Sequence, residues 1–250
     1  MTIRNLIAAL GVLSLSSAGA MAADLALKAP PPAPPPPSWT GFYIGVNGGA
    51  GWATAANAIN LGGLGVGIAG TLPLYSQGLN GYLAGGQIGY NYQSGNFLVG
   101  VEGDGDWSNI KGTTPCLVVF SCSANMQWTA DATVRAGVLP MHNLLVYVKG
   151  GASWTSVKYN FSDGGLLAPA SISSNQSETK VGGLLGFGTE YMFAPHWTAK
   201  IEYNYVDYGN HTDNHPLTLA APGVVLPAIN IPVQSSLKAS TMKAGINYLF

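Results

Sequence analysis

From residue 40 to the C-terminus the sequence alternates with a period of two, broken at intervals by turn chemistry. In NFLVGVEGDGDWS, residues 96–108, Phe97, Val99, Val101, Gly103, Gly105 and Trp107 share one side. Leu98, Gly100, Glu102, Asp104 and Asp106 share the other. Successive side chains of a strand point to opposite faces, so this spacing makes a strand with one lipid-compatible face and one polar face. A single such segment also fits a half-buried strand of a soluble protein. Eight can be drawn here, over 40–52, 80–93, 96–108, 127–139, 144–157, 179–193, 196–208 and 237–250.

Composition decides what the alternation means. Charged residues make up 8% of the chain, where soluble domains carry about 25%, and 47% apolar residues do not fit a disordered chain. Net charge is −1 without a basic run, so nucleic-acid binding has no electrostatic footprint. Beyond the leader, no apolar stretch approaches the roughly 20 residues a spanning helix needs. A closed β-barrel is the spanning structure that remains. The expected fold is all-β, an eight-stranded antiparallel transmembrane β-barrel.

Aromatic placement gives the length. Phe42 to Trp52 and Phe97 to Trp107 each span ten residues. At about 3.3 Å per residue and a tilt near 40°, that is roughly 25 Å, the height of the apolar band between aromatic girdles. The girdle is assigned to Phe42, Trp52, Phe97, Trp107, Trp128, Trp154, Phe193, Trp197 and Tyr248. Connections alternate between tight turns (94–95, 140–143, 194–195) and long segments (53–79, 109–126, 158–178, 209–236). Short periplasmic turns and long extracellular loops are the habit of outer-membrane barrels, which places both termini in the periplasm. All nine prolines after the leader and spacer fall between the proposed strands, as the missing ladder donor leads one to expect.

The chain begins with Arg4, an apolar run over 6–15 and Ala20-Met21-Ala22, which reads as a secretory signal peptide over 1–22. Residues 23–38 hold PPPAPPPP and read as a proline-rich periplasmic spacer in the polyproline II conformation. The barrel then occupies 39–250.

On the strand parity, Glu102, Asp104, Asp106, Asp131, Glu190 and Glu202 face inward, with Arg135, Lys149, Lys180, Lys200 and Lys243. An eight-stranded barrel is only wide enough inside for side chains to fill it, and ions buried there must pair. These residues are expected to form a lumenal charge network centred on Arg135, whose planar fork can serve several carboxylates. Inward glycines, among them Gly89 and Gly100, leave room for it. Glu102-x-Asp104-x-Asp106 could instead be a cation site or an acid/base pair, but five basic residues facing the same space favour neutralisation.

Other motifs lead to no site. Residues 65–70 match GxGxxG, yet lack the flanking strand and helix and the acid that dinucleotide binding requires. Cys116 and Cys122 share one long segment and are expected to form a disulfide in the oxidising periplasm. His211, Asp213 and His215 are too few for zinc, and no nucleophile is positioned beside them. No catalytic residue, metal site or cofactor is expected. The apolar stretches 59–74 and 216–233 are unusual for extracellular loops, and could fold onto the mouth, meet lipopolysaccharide or a partner, or form extra hairpins.

Several short motifs carry a resemblance: Ser38-Trp39-Thr40-Gly41-Phe42-Tyr43-Ile44-Gly45, Gly100-Val101-Glu102-Gly103-Asp104, Lys200-Ile201-Glu202-Tyr203 and the terminal Tyr248-Leu249-Phe250. Together they resemble the small porin-like outer-membrane proteins of alphaproteobacteria, the 25/31-kilodalton surface antigen group. The resemblance implies a transmembrane barrel of the OmpA type and makes Phe250 the recognition signal for the barrel-assembly machinery. Expected partners are outer-membrane lipid and lipopolysaccharide, that machinery, and an extracellular partner at the loops. Three functions compete: a structural and surface-contact protein, a small-solute pore, and a lipid-modifying barrel enzyme.

Overall fold

The computed structural model describes residues 38–62, 70–116, 120–162, 171–221, 224–225 and 229–250. The leader, the proline-rich spacer except Ser38, and all of the GxGxxG stretch except Gly70 lie outside them. The strands are β1 (Gly41–Asn60), β2 (Thr71–Ser94), β3 (Phe97–Cys116), β4 (Phe120–Met141), β5 (Leu144–Ser162), β6 (Ser171–Ala194), β7 (Trp197–Ala221), β8 (Val224–Val225) and β9 (Ile229–Leu249). Each long strand pairs antiparallel with its neighbours, β9 returns to β1, and β6 joins β7 to close the ring. β8 is a two-residue addition to the tip of β7. The barrel therefore has eight strands.

The alternation holds through the membrane band. Phe42, Ile44 and Val46 are exposed while Tyr43 is buried, and Phe97 to Trp107 of β3 keeps the same two-residue rhythm. Two aromatic levels bound this face. Near the tight turns, Trp197 and Tyr248 stand edge to face with ring centroids 5.1 Å apart, and Tyr248 meets Phe250 at 5.2 Å. At the opposite level Trp107 lies directly across from Trp128. Phe42, Trp52, Phe97, Trp107, Trp128, Phe193 and Trp197 are exposed, whereas Trp154 and Tyr248 are half-buried.

The strands run well past the second aromatic level, so most of the expected loops are strand. β1 continues eight residues beyond Trp52, roughly 20 Å of height at about 3.3 Å per residue and a 40° tilt. Above the aromatic level the ring opens between β2 and β3 and has a gap between β6 and β7. Pairing of β2 with β3 stops at Asn80↔Lys111, while β1–β2 continues to Asn60↔Thr71 and β3–β4 to Cys116↔Phe120. Pairing of β6 with β7 is interrupted between Ser173 and Gly183. Across these gaps the arms of β7, β9, β1 and β2 face those of β3, β4, β5 and β6, and β6 rejoins β7 over Ser171–Ser173.

This geometry corrects the expectation that every proline falls between strands. Pro73, Pro115, Pro140, Pro216 and Pro232 are inside β2, β3, β4, β7 and β9. Pro73 and Pro115 border the β2/β3 gap, and Pro216 borders the β6/β7 gap. Pro232 lies one residue beyond the last β1–β9 pair, and Pro140 falls where the β4–β5 register shifts. Each has at most one ladder partner, and a strand position with a free edge tolerates a residue without an N–H. The proline rule excludes doubly paired strand positions, not the single-sided arms of a hairpin.

Candidate functional site

The interior is layered along the barrel axis, and the layers follow from inward positions on successive strand turns. At the tight-turn end an apolar layer is made by Trp39, Tyr43, Leu98, Leu139, Leu145, Tyr147, Met192 and Leu249. Trp39 precedes β1 yet is fully buried. Its backbone N–H donates to Gln93 Oε1 at 2.9 Å and its indole N–H to the His142 carbonyl at 3.0 Å. It shares the odd parity of Tyr43, and that parity was the signal that could have placed it inside.

All eleven charged residues assigned to the lumen are buried. Ten of them, in the middle layer, are joined by contacts of 4 Å or less. Arg135 Nη1 lies 3.1 Å from Glu190 and 3.6 Å from Glu102. Glu102 also receives Lys149 at 3.2 Å and Lys200 at 2.9 Å. Lys149 bridges on to Glu202 at 2.6 Å and Asp104 at 3.6 Å. Lys243 then gathers Asp104 at 2.7 Å, Asp106 at 2.5 Å and Asp131 at 3.6 Å.

Glu102 is the most connected acid, with three cations around it, and Lys149 and Lys243 each meet three carboxylates, whereas Arg135 meets two. Arg135 sits at the tight-turn end of the network, where its Nε and Nη2 donate to Asn91 Oδ1 at 3.0 and 2.8 Å. There it lies 4.6 Å from the centroid of the Tyr43 ring and 5.2 Å from that of Tyr147. Two of its donors serve an amide and its faces serve aromatic rings, so it reaches two carboxylates where a freely placed fork could reach more. Lys180 stands apart as well. It meets Glu178 at 3.1 Å, Asp213 at 3.8 Å and the Ser235 hydroxyl at 2.7 Å, far up β6. Glu178 and Asp213 were assigned to loops by sequence, and the strand extensions bring them to this outer group.

Six carboxylates meet four cations in the central network, a formal excess of two negative charges. Neutral donors complete the coordination of these acids. The Tyr43 hydroxyl donates to Glu102 at 2.8 Å and that of Tyr147 to Glu202 at 2.9 Å. Thr198 Oγ1 and Asn247 Nδ2 both donate to Glu190 Oε1, at 2.5 and 2.7 Å. None of these residues stands out by type, so only the strand parity could have identified them. Glycine makes the room: a Cβ at Gly89 would overlap the Tyr43 phenol, and one at Gly100 would press on Asn91 Oδ1 at 2.5 Å.

Above the ions lies a second apolar layer, including Leu79, Leu83, Ile110, Met126, Val157, Leu184, Val206, Tyr208 and Leu237. Farther out, Cys116 and Cys122 form a disulfide across the tip of the β3–β4 hairpin, with a Cα–Cα distance of 5.9 Å. His211 is exposed while Asp213 faces Lys180, so the two do not assemble as a His/Asp pair. Among the described residues no group of three His, Cys, Asp or Glu could hold a metal ion.

The matching family model agrees with this architecture. The family described as outer membrane protein beta-barrel domain matches residues 8–250. The chain is 28% identical to the 31 kDa outer-membrane immunogenic protein of Brucella melitensis, over 96% of this chain and 97% of that one. It is 27% identical to the 25 kDa outer-membrane immunogenic protein of Brucella abortus, over 100% and 99% of the two chains. Among solved structures, the outer membrane protein OprG of Pseudomonas aeruginosa is 12% identical, covering 84% of this chain and 97% of its own, with a TM-score of 0.47.

Proposed function

The chain belongs to the outer membrane protein beta-barrel family, and on that premise we propose that it is a structural and surface-contact protein of the outer membrane. The barrel is the anchor, and the long hairpins, facing outward from the cell, are the working part. Its role does not involve catalysis.

The observation that carries this reading is the lumen. A buried ion network with an apolar layer on either side leaves a solute no continuous path, and opening one would strip buried charges of their partners at several kcal/mol each. Extra backbone invested above the aromatic level, in facing hairpin arms stiffened by a disulfide, supports a function located there. The alternative, a pore for small solutes, would require the ion layer to rearrange.

A deletion strain complemented by two chains tests the proposal. One is the full chain; in the other each long hairpin is closed by a tight turn just above the tryptophan level. Both are expected in the outer membrane at equal amounts, and only the full chain is expected to restore detergent resistance and surface adherence. Equal rescue by the shortened barrel would locate the function in the barrel and contradict the proposal. Restored uptake of small sugars by the shortened barrel would turn the reading to a pore.

A further inference from the structure

In a chain so poor in charge, the cations that lack a counter-ion stand out. Among the described residues Arg135, Lys149, Lys180, Lys200 and Lys243 each hold a carboxylate inside the barrel. On the outer surface Lys238 has its own acid, Asp207, at 3.3 Å. Lys111 and Lys158 are the two remaining cations among the described residues, both exposed, and neither meets a carboxylate there.

These two lysines are neighbours. Strand pairing sets Lys111 opposite Asn125 and Asn125 opposite Lys158, so two strand spacings, roughly 10 Å, separate their backbones. Ile110 and Val157, the adjoining residues of opposite parity, are fully buried, which turns both lysines to the outside of the wall. Below this row, toward the membrane, the same three strands carry Trp107, Trp128 and Trp154. Above it the register aligns Thr113, Ser123, Asn160 and Asn175 across β3 to β6. Going outward from the membrane, the wall passes from apolar side chains through indoles to two ammonium groups, then to neutral hydroxyls and amides.

We propose that Lys111 and Lys158 form a binding site for the phosphate-bearing headgroup of a glycolipid in the leaflet that surrounds the hairpins. Tryptophans mark the boundary between acyl chains and headgroups, so the lysine row lies at headgroup depth. A phosphate there supplies the counter-charge that the chain itself withholds, through charge-assisted hydrogen bonds. Two flexible four-carbon stems can converge on one phosphate or each take one of a neighbouring pair. The sugar hydroxyls of the same lipid meet the row from Thr113 to Asn175. A glycerophospholipid offers the phosphate without the sugars, so that upper row favours the glycolipid. The site gives the barrel one preferred lipid-facing side, β3 to β5, and rests on the reading that the hairpins face outward from the cell.

Native mass spectrometry of the folded full chain, released from neutral detergent, tests this with bis-phosphorylated lipid A, its dephosphorylated form, phosphatidylglycerol and inorganic phosphate. Bis-phosphorylated lipid A is expected to bind saturably and more tightly than the other two lipids, without competition from equimolar inorganic phosphate. Lys111→Gln and Lys158→Gln are each expected to weaken it about fivefold, and the double variant about twenty-five-fold. Lys238→Gln, whose charge Asp207 already answers, is expected to change affinity by less than about twofold. Heat-modifiable mobility confirms that each variant is folded. Equal affinity for dephosphorylated lipid A, unchanged affinity in the double variant, or an equal loss in Lys238→Gln would each overturn the site. Phosphatidylglycerol binding as tightly as lipid A, or competition by inorganic phosphate, would overturn the glycolipid as its occupant. Binding by the purified chain does not depend on its orientation or role in the cell, so a failure here is distinct from a failure of the surface-contact reading, which the complementation test decides.

Discussion

Replacing Arg135 with methionine removes a charge and keeps most of the side chain's length, which isolates the electrostatic part of the lumen. Arg135 loses two bonds to Asn91, of 3.0 and 2.8 Å, and its contacts with Glu190 at 3.1 Å and Glu102 at 3.6 Å. The two carboxylates fare differently. Glu102 keeps Lys149 and Lys200, whereas among the described residues Arg135 is the cation that reaches Glu190. Removing one partner of a buried pair costs about 3–5 kcal/mol because the other is left uncompensated. For a chain of this size each kcal/mol shifts the midpoint by about 2–4 °C, so Arg135→Met is expected to lower unfolding by about 10 °C. The assay is the loss of compact gel mobility on heating in detergent. A double-mutant cycle locates the effect: coupling of Arg135→Met with Glu190→Gln is expected at about 1.5–3 kcal/mol, and with Glu102→Gln at clearly less. A shift under about 2 °C, or stronger coupling to Glu102 than to Glu190, would refute the argument.

Gly89→Ala is expected to cost about 1–3 kcal/mol by overpacking, because its Cβ would displace the Tyr43 phenol that holds Glu102; the same gel assay reads it. Maleimide labelling of the unfolded chain is expected to detect no thiol until reductant is added, since Cys116 and Cys122 are bonded; quantitative labelling without reductant would contradict this. Deleting Phe250 removes its ring contact with Tyr248 and the backbone bond from its N–H to the Phe42 carbonyl, and with them the proposed assembly signal. The truncated chain is expected to lose most of its folded, outer-membrane form in cells, and normal levels of the compact species would count against that role.

The membrane band was legible in the sequence because lipid on one side and a packed lumen on the other impose a strict period of two. Phe97 to Trp107 shows it without exception. The outer arms were not legible for the opposite reason. Facing water or the opposite arms, residues such as those of TLPLYSQGLN keep no such contrast between their faces. Their prolines speak against strand unless the free edges at the two gaps are known. Bulges added a further obstacle: inward positions on β4 change parity between Met126 and Thr129, where the pairing with β5 shifts. The charged lumen was readable as a set of residues, but its wiring was not. Which acid becomes the most connected depends on strand stagger around the ring, and stagger sets Glu102 among Lys149, Lys200 and Arg135. The uncharged partners Tyr43, Tyr147, Asn91 and Trp39 were visible only as positions of the right parity.

An ion layer between two apolar layers would seal the lumen against ions and solutes. Single-channel recording of the purified, folded protein in planar bilayers tests it most directly. A silent membrane is expected, with no stable conductance steps across the voltage range in which the bilayer itself holds. Reproducible steps of defined size, abolished when the protein is unfolded, would show an open path through the ion layer and contradict it.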